Sequence, residues 1–394
     1  MTAPLPRSAG LNGDLRASRA PLAGLVAMGA IWGTLAAVMP DLRTRTSASD
    51  AELASVFFLS ALVAVAAMLA APRIGAVLGP HRLAIACAAM VGAAALPGLA
   101  TGVVTLGLGL ALLAATSGVA DVLLNGRVAA AEAGRGRPLM NLNHAGYSLS
   151  FFAGAVLTGL ARDLGTGPTA VMAGTAILLA PLLLLTHDGL PAATPRSEPT
   201  QFLTTAGPGT LWLVLWLGGG MMLLASLLEA GTETWSALHL ERTLGAGPAL
   251  GALGPAALGL CMGLGRLAGQ ALSLRLGPAT LMRLGAALAA TGAATATLAP
   301  TPALALAGIA GIGLGTSVLV PTALSLVGGA ATAQGRTTLI ARAYALGFAG
   351  YVAGPALMGL IAQLAGLRWS FALLALAALA ALALVPALVR RTRP

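Results

Sequence analysis

The sequence contains no lysine and little charge of any kind. All 22 of its basic residues are arginine, acidic residues number 12, and charged side chains make up 9% of the 394 residues. Soluble domains carry about 25% charged residues, so this inventory cannot cover a water-facing surface. Cysteine is almost absent. The two present, Cys87 and Cys261, each lie inside an apolar run and form neither a disulfide framework nor a metal motif, so both read as small core residues. Walker loop, HExxH, GxSxG and clustered Cys/His are all missing. The chain therefore does not read as an enzyme, no metal or cofactor is called for, and no ATP-binding domain is there to supply energy. That energy must come from an ion gradient or from a solute's own.

What the sequence has is apolar bulk. Hydrophobic residues make up 57% and another 52 residues are glycine. Twelve spans of ~20 residues would use roughly 240 residues and leave only short loops. The expectation is an all-α polytopic protein with the lipid bilayer as its surroundings. A net charge of +10 invites a nucleic-acid reading, but a nucleic-acid surface gathers its basic residues into one patch. Here they are scattered between apolar runs, so nucleic acid is not expected as a partner.

Residues 1–19 are polar and read as an N-terminal tail. A first span follows over 21–40; it is too long for a signal-peptide core and has no small-residue cleavage site after it. Apolar runs recur at about 52–72, 81–100, 102–125, 140–161 and 168–187, completing an N-terminal half over 20–187. Residues 188–209 hold Pro191, Pro195, Pro199 and several Ser and Thr, a linker composition. Six more runs, at about 210–232, 247–271, 279–299, 302–327, 338–365 and 368–389, make a C-terminal half over 210–389, and 390–394 form a short tail. Fifteen arginines fall on the side of the termini, five fall on the other, and Arg127 and Arg266 lie in spans. By the positive-inside rule both termini and the linker are expected to be cytoplasmic, and the membrane expected is a plasma (inner) membrane.

The halves resemble each other. Ala115-Thr116-Ser117 through Asn125 matches Gly315-Thr316-Ser317 through Ser325, and Gly154 through Leu160 matches Gly354 through Leu360, both at an offset of 200. Leu78-Gly79-Pro80 recurs as Leu276-Gly277-Pro278. Two related six-helix halves are the architecture of a secondary transporter whose site lies between them.

Ionisable groups inside a bilayer cost about 2.5–3.5 kcal/mol each on insertion scales, so their positions carry information. Asp121 in the fourth span has Asn125 four residues on, on the same helix face. A carboxyl taken out of water favours its neutral form, which suits Asp121 to carrying a proton; the plainer alternative is a structural partner for Arg127. Glu229 and Glu233 share a face of the seventh span, either buried as a pair or wet at the extracellular mouth. In the fifth span Asn141, Asn143, His144 and Tyr147 suggest a face turned to a cavity, though a lone histidine is more often a packing residue. Trp32 and Trp235 suit stacking on a flat solute or an interfacial belt. Close glycine pairs such as Gly29/Gly33, Gly259/Gly263 and Gly311/Gly315 read as helix-packing positions.

With these residues in place, the chain from about Pro21 to Arg390 resembles the major facilitator superfamily. That family's loop between second and third spans reads G-x-L-A-D-R-x-G-R-R/K. Gly79 and Arg82 keep part of it, while Ala76 stands at the acidic position. In the second half, Gly265-Arg266-Leu267-Ala268-Gly269-Gln270 through Arg275 and Gly277 keeps more. The resemblance implies a gating role at the cytoplasmic loops for Gly79, Arg82, Arg266, Gly269, Arg275 and Gly277. Within the superfamily, Gly118 to Asn125 resembles the G-x-x-[DE]-x-x-x-N of the fucose-permease group. Gly136-Arg137-Pro138-Leu139-Met140, followed by His144 and Ser148, resembles a segment of that group's uncharacterised inner-membrane relatives. Glu229 with Trp235-Ser236-Ala237 does likewise, and Thr234 replaces their aspartate.

This resemblance implies proton coupling through Asp121, with Glu229 and Glu233 as further proton groups. From the residues themselves, a small polar, sugar-like solute is expected to touch Trp32, Asn125, Asn143, His144, Tyr147 and Trp235. The function expected is monomeric, proton-coupled symport by alternating access. The alternatives are a proton-coupled exporter of drugs or metabolites and, from another class, a membrane sensor or scaffold that transports nothing.

Overall fold

The computed structural model describes residues 11–135, 139–187, 208–330 and 333–392. Most of the linker at 188–209, the first ten residues, Arg393 and Pro394, and the Gly136-Arg137-Pro138 motif lie outside the described residues. The described chain is helical throughout: α1 (Leu11–Thr46), α2 (Asp50–Leu78), α3 (Arg82–Ala93), α4 (Val103–Arg135), α5 (Met140–Asp163), α6 (Pro168–Leu179), α7 (Pro208–Leu238), α8 (Pro248–Leu298), α9 (Pro302–Thr316), α10 (Leu319–Gly329), α11 (Ala333–Ala365) and α12 (Leu367–Thr392).

These helices make twelve crossings, although their ends are not those of the apolar runs. Among the described residues, ten stretches are long and apolar enough to cross a membrane. One of them, Asp50–Leu99, contains two crossings. Gly75 packs on Leu123 and Gly107 on Val56, so α2 runs parallel to α4, whereas Gly109 packs on Leu96 and Pro97 of the returning segment. The reversal falls at Gly79, whose φ is 60°. The same turn divides α8 at Gly277, with φ 68° and ψ 161°. Its first part packs parallel to α9 through Gly265 and Ser317, and its second part antiparallel through Gly285 with Gly315 and Gly292 with Gly308. A left-handed residue that reverses the chain is suited to glycine, and Pro80 and Pro278 follow as good helix starters. Left-handed residues also occur at Ser47 and Gly245, and at Gly165 and Gly366. Each pair is separated by about 200 residues, so the sequence repeat is a repeat of backbone conformation.

The third and sixth crossings finish in tight 3-10 segments, Leu96–Leu99 and Ala180–Leu185, each with proline near its start. The tenth is broken into α9 and α10. The polar stretch read as a tail is partly helix, since α1 begins at Leu11. Ser18, within that stretch, is buried and accepts a hydrogen bond from Asn143 Nδ2 at 3.0 Å.

Backbones meet where glycine allows it. A Cβ on Gly29 or Gly33 of α1 would overlap the Tyr147 or Phe151 carbonyl oxygen of α5, and one on Gly350 of α11 would overlap the Leu223 carbonyl of α7. These close pairs, α1 with α5 and α7 with α11, hold each half together by van der Waals contact, the main attraction left to helices already in lipid. Large apolar side chains such as Leu69, Val77, Val104, Ile177 and Leu184 stay exposed and face lipid.

The halves are not joined evenly along their length. One buried cluster contains residues of both halves: its N-terminal-half members run the length of that half, from Ala20 and Leu83 to Leu42 and Leu53, while its C-terminal-half members, among them Trp235, Leu258 and Phe371, lie away from the termini. At the end where the termini emerge, the buried cluster from Leu211 to Val389 contains residues of the C-terminal half alone. Near the far end, Ala37 and Ala155 meet Ala252 and Ala256, all fully buried, across the boundary. The molecule is a wedge, sealed at the far end and parted toward the termini. Replacing Gly33 by alanine should push α1 from α5 and, as overpacking typically costs 1–3 kcal/mol, lower the melting temperature in detergent by several degrees. A melting temperature unchanged from the parent protein would contradict the close approach.

Candidate functional site

Asp121 and Asn125 stand four residues apart on α4, and the spacing does what it promises. Asn125 Nδ2 donates to Asp121 Oδ1 at 2.8 Å and to the Asp121 carbonyl at 3.0 Å. The Asn125 Oδ1 in turn meets His144 Nε2 of α5 at 3.1 Å. An amide oxygen can only accept, so His144 supplies the proton of this bond. The result is a polar chain, Asp121–Asn125–His144, that ties α4 to α5 inside the N-terminal half.

The C-terminal half presents its own polar groups. Glu229 of α7 faces Arg266 of α8, with Oε1 and Nη2 3.6 Å apart, and interacts with the Tyr351 hydroxyl of α11. Glu233 lies one turn further along the same face of α7. Both glutamates are inside the helix, which continues to Leu238. At 1.5 Å per residue, Glu233 sits about 12 Å short of the charged residues at the far end of that crossing. The reading of both as wet groups at the mouth is therefore replaced by positions within the bundle.

The two sets share one space. Tyr147 of α5 lies within electrostatic reach of Glu233 and Glu229 on α7, Asp121 on α4 and Arg266 on α8. Tyr344 of α11 is likewise near Asp121, Glu229 and Arg266, yet its side chain is 55% exposed. Arg266 is also open, at 42%. Tyr147 pairs with Phe151 at a ring separation of 6.3 Å, and Phe348 stacks on Tyr351 at 5.9 Å. Three carboxyls, one guanidinium, one imidazole and two aromatic pairs thus surround the parting between the halves. Such a lining can bind a polar organic solute by hydrogen bonds and ring contact. Among the described residues no three His, Cys, Asp or Glu stand close enough to hold a metal ion.

Some expected residues are placed elsewhere. Trp235, read as a stacking platform, is fully buried. Its indole N–H donates to the Pro355 carbonyl at 3.0 Å, and its ring meets Phe57 edge-on. Asn143 is also fully enclosed, with Nδ2 given to Ser18 Oγ and the Leu139 carbonyl. The Trp235 N–H and the Asn143 amide nitrogen are spent on structure, the Asn143 Oδ1 is buried without a partner among the described residues, and neither side chain is exposed to the shared space. Trp32 is half-buried and packed against the core. Arg266, assigned from the loop motif to gating, reaches Glu229 instead. Gly79 and Gly277 make the turns, Arg82 donates to the Gly79 carbonyl at 3.3 Å, Gly269 packs against Val318, and Arg275 is exposed. Tyr344 and Tyr351 went unread in the sequence. The repeat was the signal for them, because Tyr344 matches His144 and Tyr351 matches Phe151.

Comparison with known proteins agrees with this architecture. A family model described as Major Facilitator Superfamily matches residues 221–394. An uncharacterised MFS-type transporter of Yersinia pestis is 29% identical over 92% of this chain and 92% of its own length. Membrane protein MosC of Rhizobium meliloti is 28% identical over 86% and 81%. Among solved structures, a bacterial homologue of the human lysosomal transporter Spinster, inward-facing and occupied, superposes with a TM-score of 0.72 at 16% identity, covering 94% of this chain and 96% of that one. The nucleoside transporter NupG gives 0.71 at 15% identity, covering 97% and 99%. Similar relatives over nearly the whole length and the fold of two six-helix halves together support a multi-pass membrane transporter of the major facilitator superfamily type.

Proposed function

We propose that the protein is a monomeric symporter that carries a small polar organic solute together with a proton by alternating access. The observation that carries this reading is the facing of two polar sets, Asp121–Asn125–His144 and Glu229–Arg266–Tyr351, across a parting that is open at one end only. Asp121 is the proton carrier. It is partly exposed on α4, and Asn125 Nδ2 donates to its carboxyl. Glu229 and Glu233 serve as secondary proton groups, and Asn125, His144, Tyr147 and Tyr351 contact the solute. The arginine bias puts the termini in the cytoplasm, so the parting opens inward in an inner membrane.

The class of solute is found by measuring charge movement on a solid-supported membrane bearing the purified protein. Sugars, organic acids, amino acids and lipophilic cations are applied at two pH values. A substrate-triggered, pH-dependent current is expected for one class. Asp121→Asn should then reduce uphill uptake at least tenfold while leaving counterflow partly intact, because counterflow needs binding and rocking but no net proton movement. Undiminished concentrative uptake by that variant would remove Asp121 from the mechanism. Trp235→Phe should behave differently, lowering stability by about 1 kcal/mol through the lost hydrogen bond and leaving KM for the solute unchanged. A raised KM with normal stability would return Trp235 to the site.

A further inference from the structure

The far end of the molecule is held by charges that come in two reciprocal groups. Arg162, at the end of α5, is a hub for carboxylates. Its Nε and Nη2 donate to Asp41 at 2.8 and 2.6 Å, Nη1 and Nη2 donate to Glu241 at 2.6 and 2.9 Å, and Nη1 also donates to the Ala37 carbonyl at 2.7 Å. A guanidinium has five N–H donors, and all five are used here on a side chain only 1% exposed. Asp50, at the start of α2, is a hub for arginines. It accepts from Arg43 Nε at 3.0 Å and from Arg242 at 2.6 and 3.3 Å, and its side chain is 7% exposed.

The partners are arranged by the repeat. Asp41 and Glu241 stand about 200 residues apart at matching ends of α1 and α7, and so do Arg43 and Arg242. The end of α1 and the end of α7 each contribute one carboxylate and one arginine, and both hubs come from the N-terminal half. The matching places in the other half hold Ala362, Gln363 and Pro248, which carry no charge. Other polar contacts of charged groups near this end stay within one half, as in Arg45 with the Gly98 carbonyl, Glu52 with Ser49, and Arg368 with the Thr297 carbonyl. Among the ion pairs described at this end, Arg162–Glu241 and Arg242–Asp50 are the ones that cross the boundary.

We propose that Arg162 and Asp50 are the paired gating residues of the far face, each clamping two like-charged side chains, one from the end of α1 and one from the end of α7, that would repel one another without it. Opening that face breaks both crossing pairs at once while leaving Arg162 on Asp41 and Asp50 on Arg43, so neither hub is left bare in the opened state. Removing a hub has a stronger effect than losing one bond. Without Arg162, Asp41 and Glu241 face each other above the alanine seal with no cation between them, and the ends of α1 and α7 are driven apart.

This inference rests on the two-sided opening proposed above, and distances between spin labels test it separately from transport. Labels are placed at Leu164→Cys and Leu364→Cys, which match in the repeat and lie at the far end of α5 and α11, in a background with Cys87 and Cys261 replaced by alanine. The parent should show mainly a short separation. Arg162→Met should raise the ratio of long to short separations about tenfold, within the usual range for coupling between states. Adding Asp41→Asn and Glu241→Gln to that variant should restore the short separation, since no repelling charges remain. Asp50→Asn, which strands Arg43 and Arg242, should lengthen the separation on its own and stands in should Arg162→Met fail to fold. A distribution unmoved by hub removal, or a triple variant as open as Arg162→Met, overturns the proposal. Either result is independent of proton-coupled uptake, which the Asp121 variant reports.

Discussion

Inside a bilayer a polar group has only the protein to bond to, and that constraint orders everything polar in this chain. The few charged side chains placed within the bundle gather into two layers. One is the mid-span lining, where Asp121, Asn125 and His144 face Glu229, Arg266 and Tyr351. The other is the far-end ion-pair layer around Arg162 and Asp50. Between and around them the structure is alanine, leucine and glycine. Several polar residues that belong to neither layer are absorbed singly: the Trp235 indole on Pro355, the Asn143 Nδ2 on Ser18, and threonines such as Thr232 and Thr297 on carbonyls one turn back in their own helices.

The small residues are the other side of the same constraint. Helices that gain no hydrophobic attraction from one another in lipid must gain contact instead, and contact requires backbones to come close. Gly29 and Gly33 bring α1 onto α5, while Gly350 and Gly354 bring α7 onto α11. This stiffens each half as a body. The boundary between halves is lined differently, with alanines at the far end and polar side chains at mid-span, and no shared core near the termini. Closely packed halves with a polar, partly open boundary suit the alternating access proposed above.

Much of this was legible in the sequence because it depends on local rules. The twelve crossings follow from run length, the turns at Gly79 and Gly277 from a repeated Leu-Gly-Pro, and the Asp121–Asn125 pairing from helical spacing. Trp235 and Asn143 misled because their neighbourhood in sequence is polar. What decides their role is the helix opposite, which one sequence does not show. Arg266 was read as part of a loop motif, although an arginine inside an apolar span needs a partner, and Glu229 is that partner. The ion-pair layer was invisible for a similar reason. Asp41, Arg43, Asp50, Arg162, Glu241 and Arg242 are scattered over three connections, and their meeting is a property of the assembled bundle. The repeat offset linking Asp41 to Glu241 and Arg43 to Arg242 was the available clue.

The far-end layer also gives the protein a thermal character. Apolar burial gains little per unit area as temperature rises, whereas the cost of stripping water from charges falls. Warming therefore strengthens the Arg162 and Asp50 clusters relative to the alanine seal beneath them. Under the alternating access proposed above, warming would tilt the resting state toward the sealed far face.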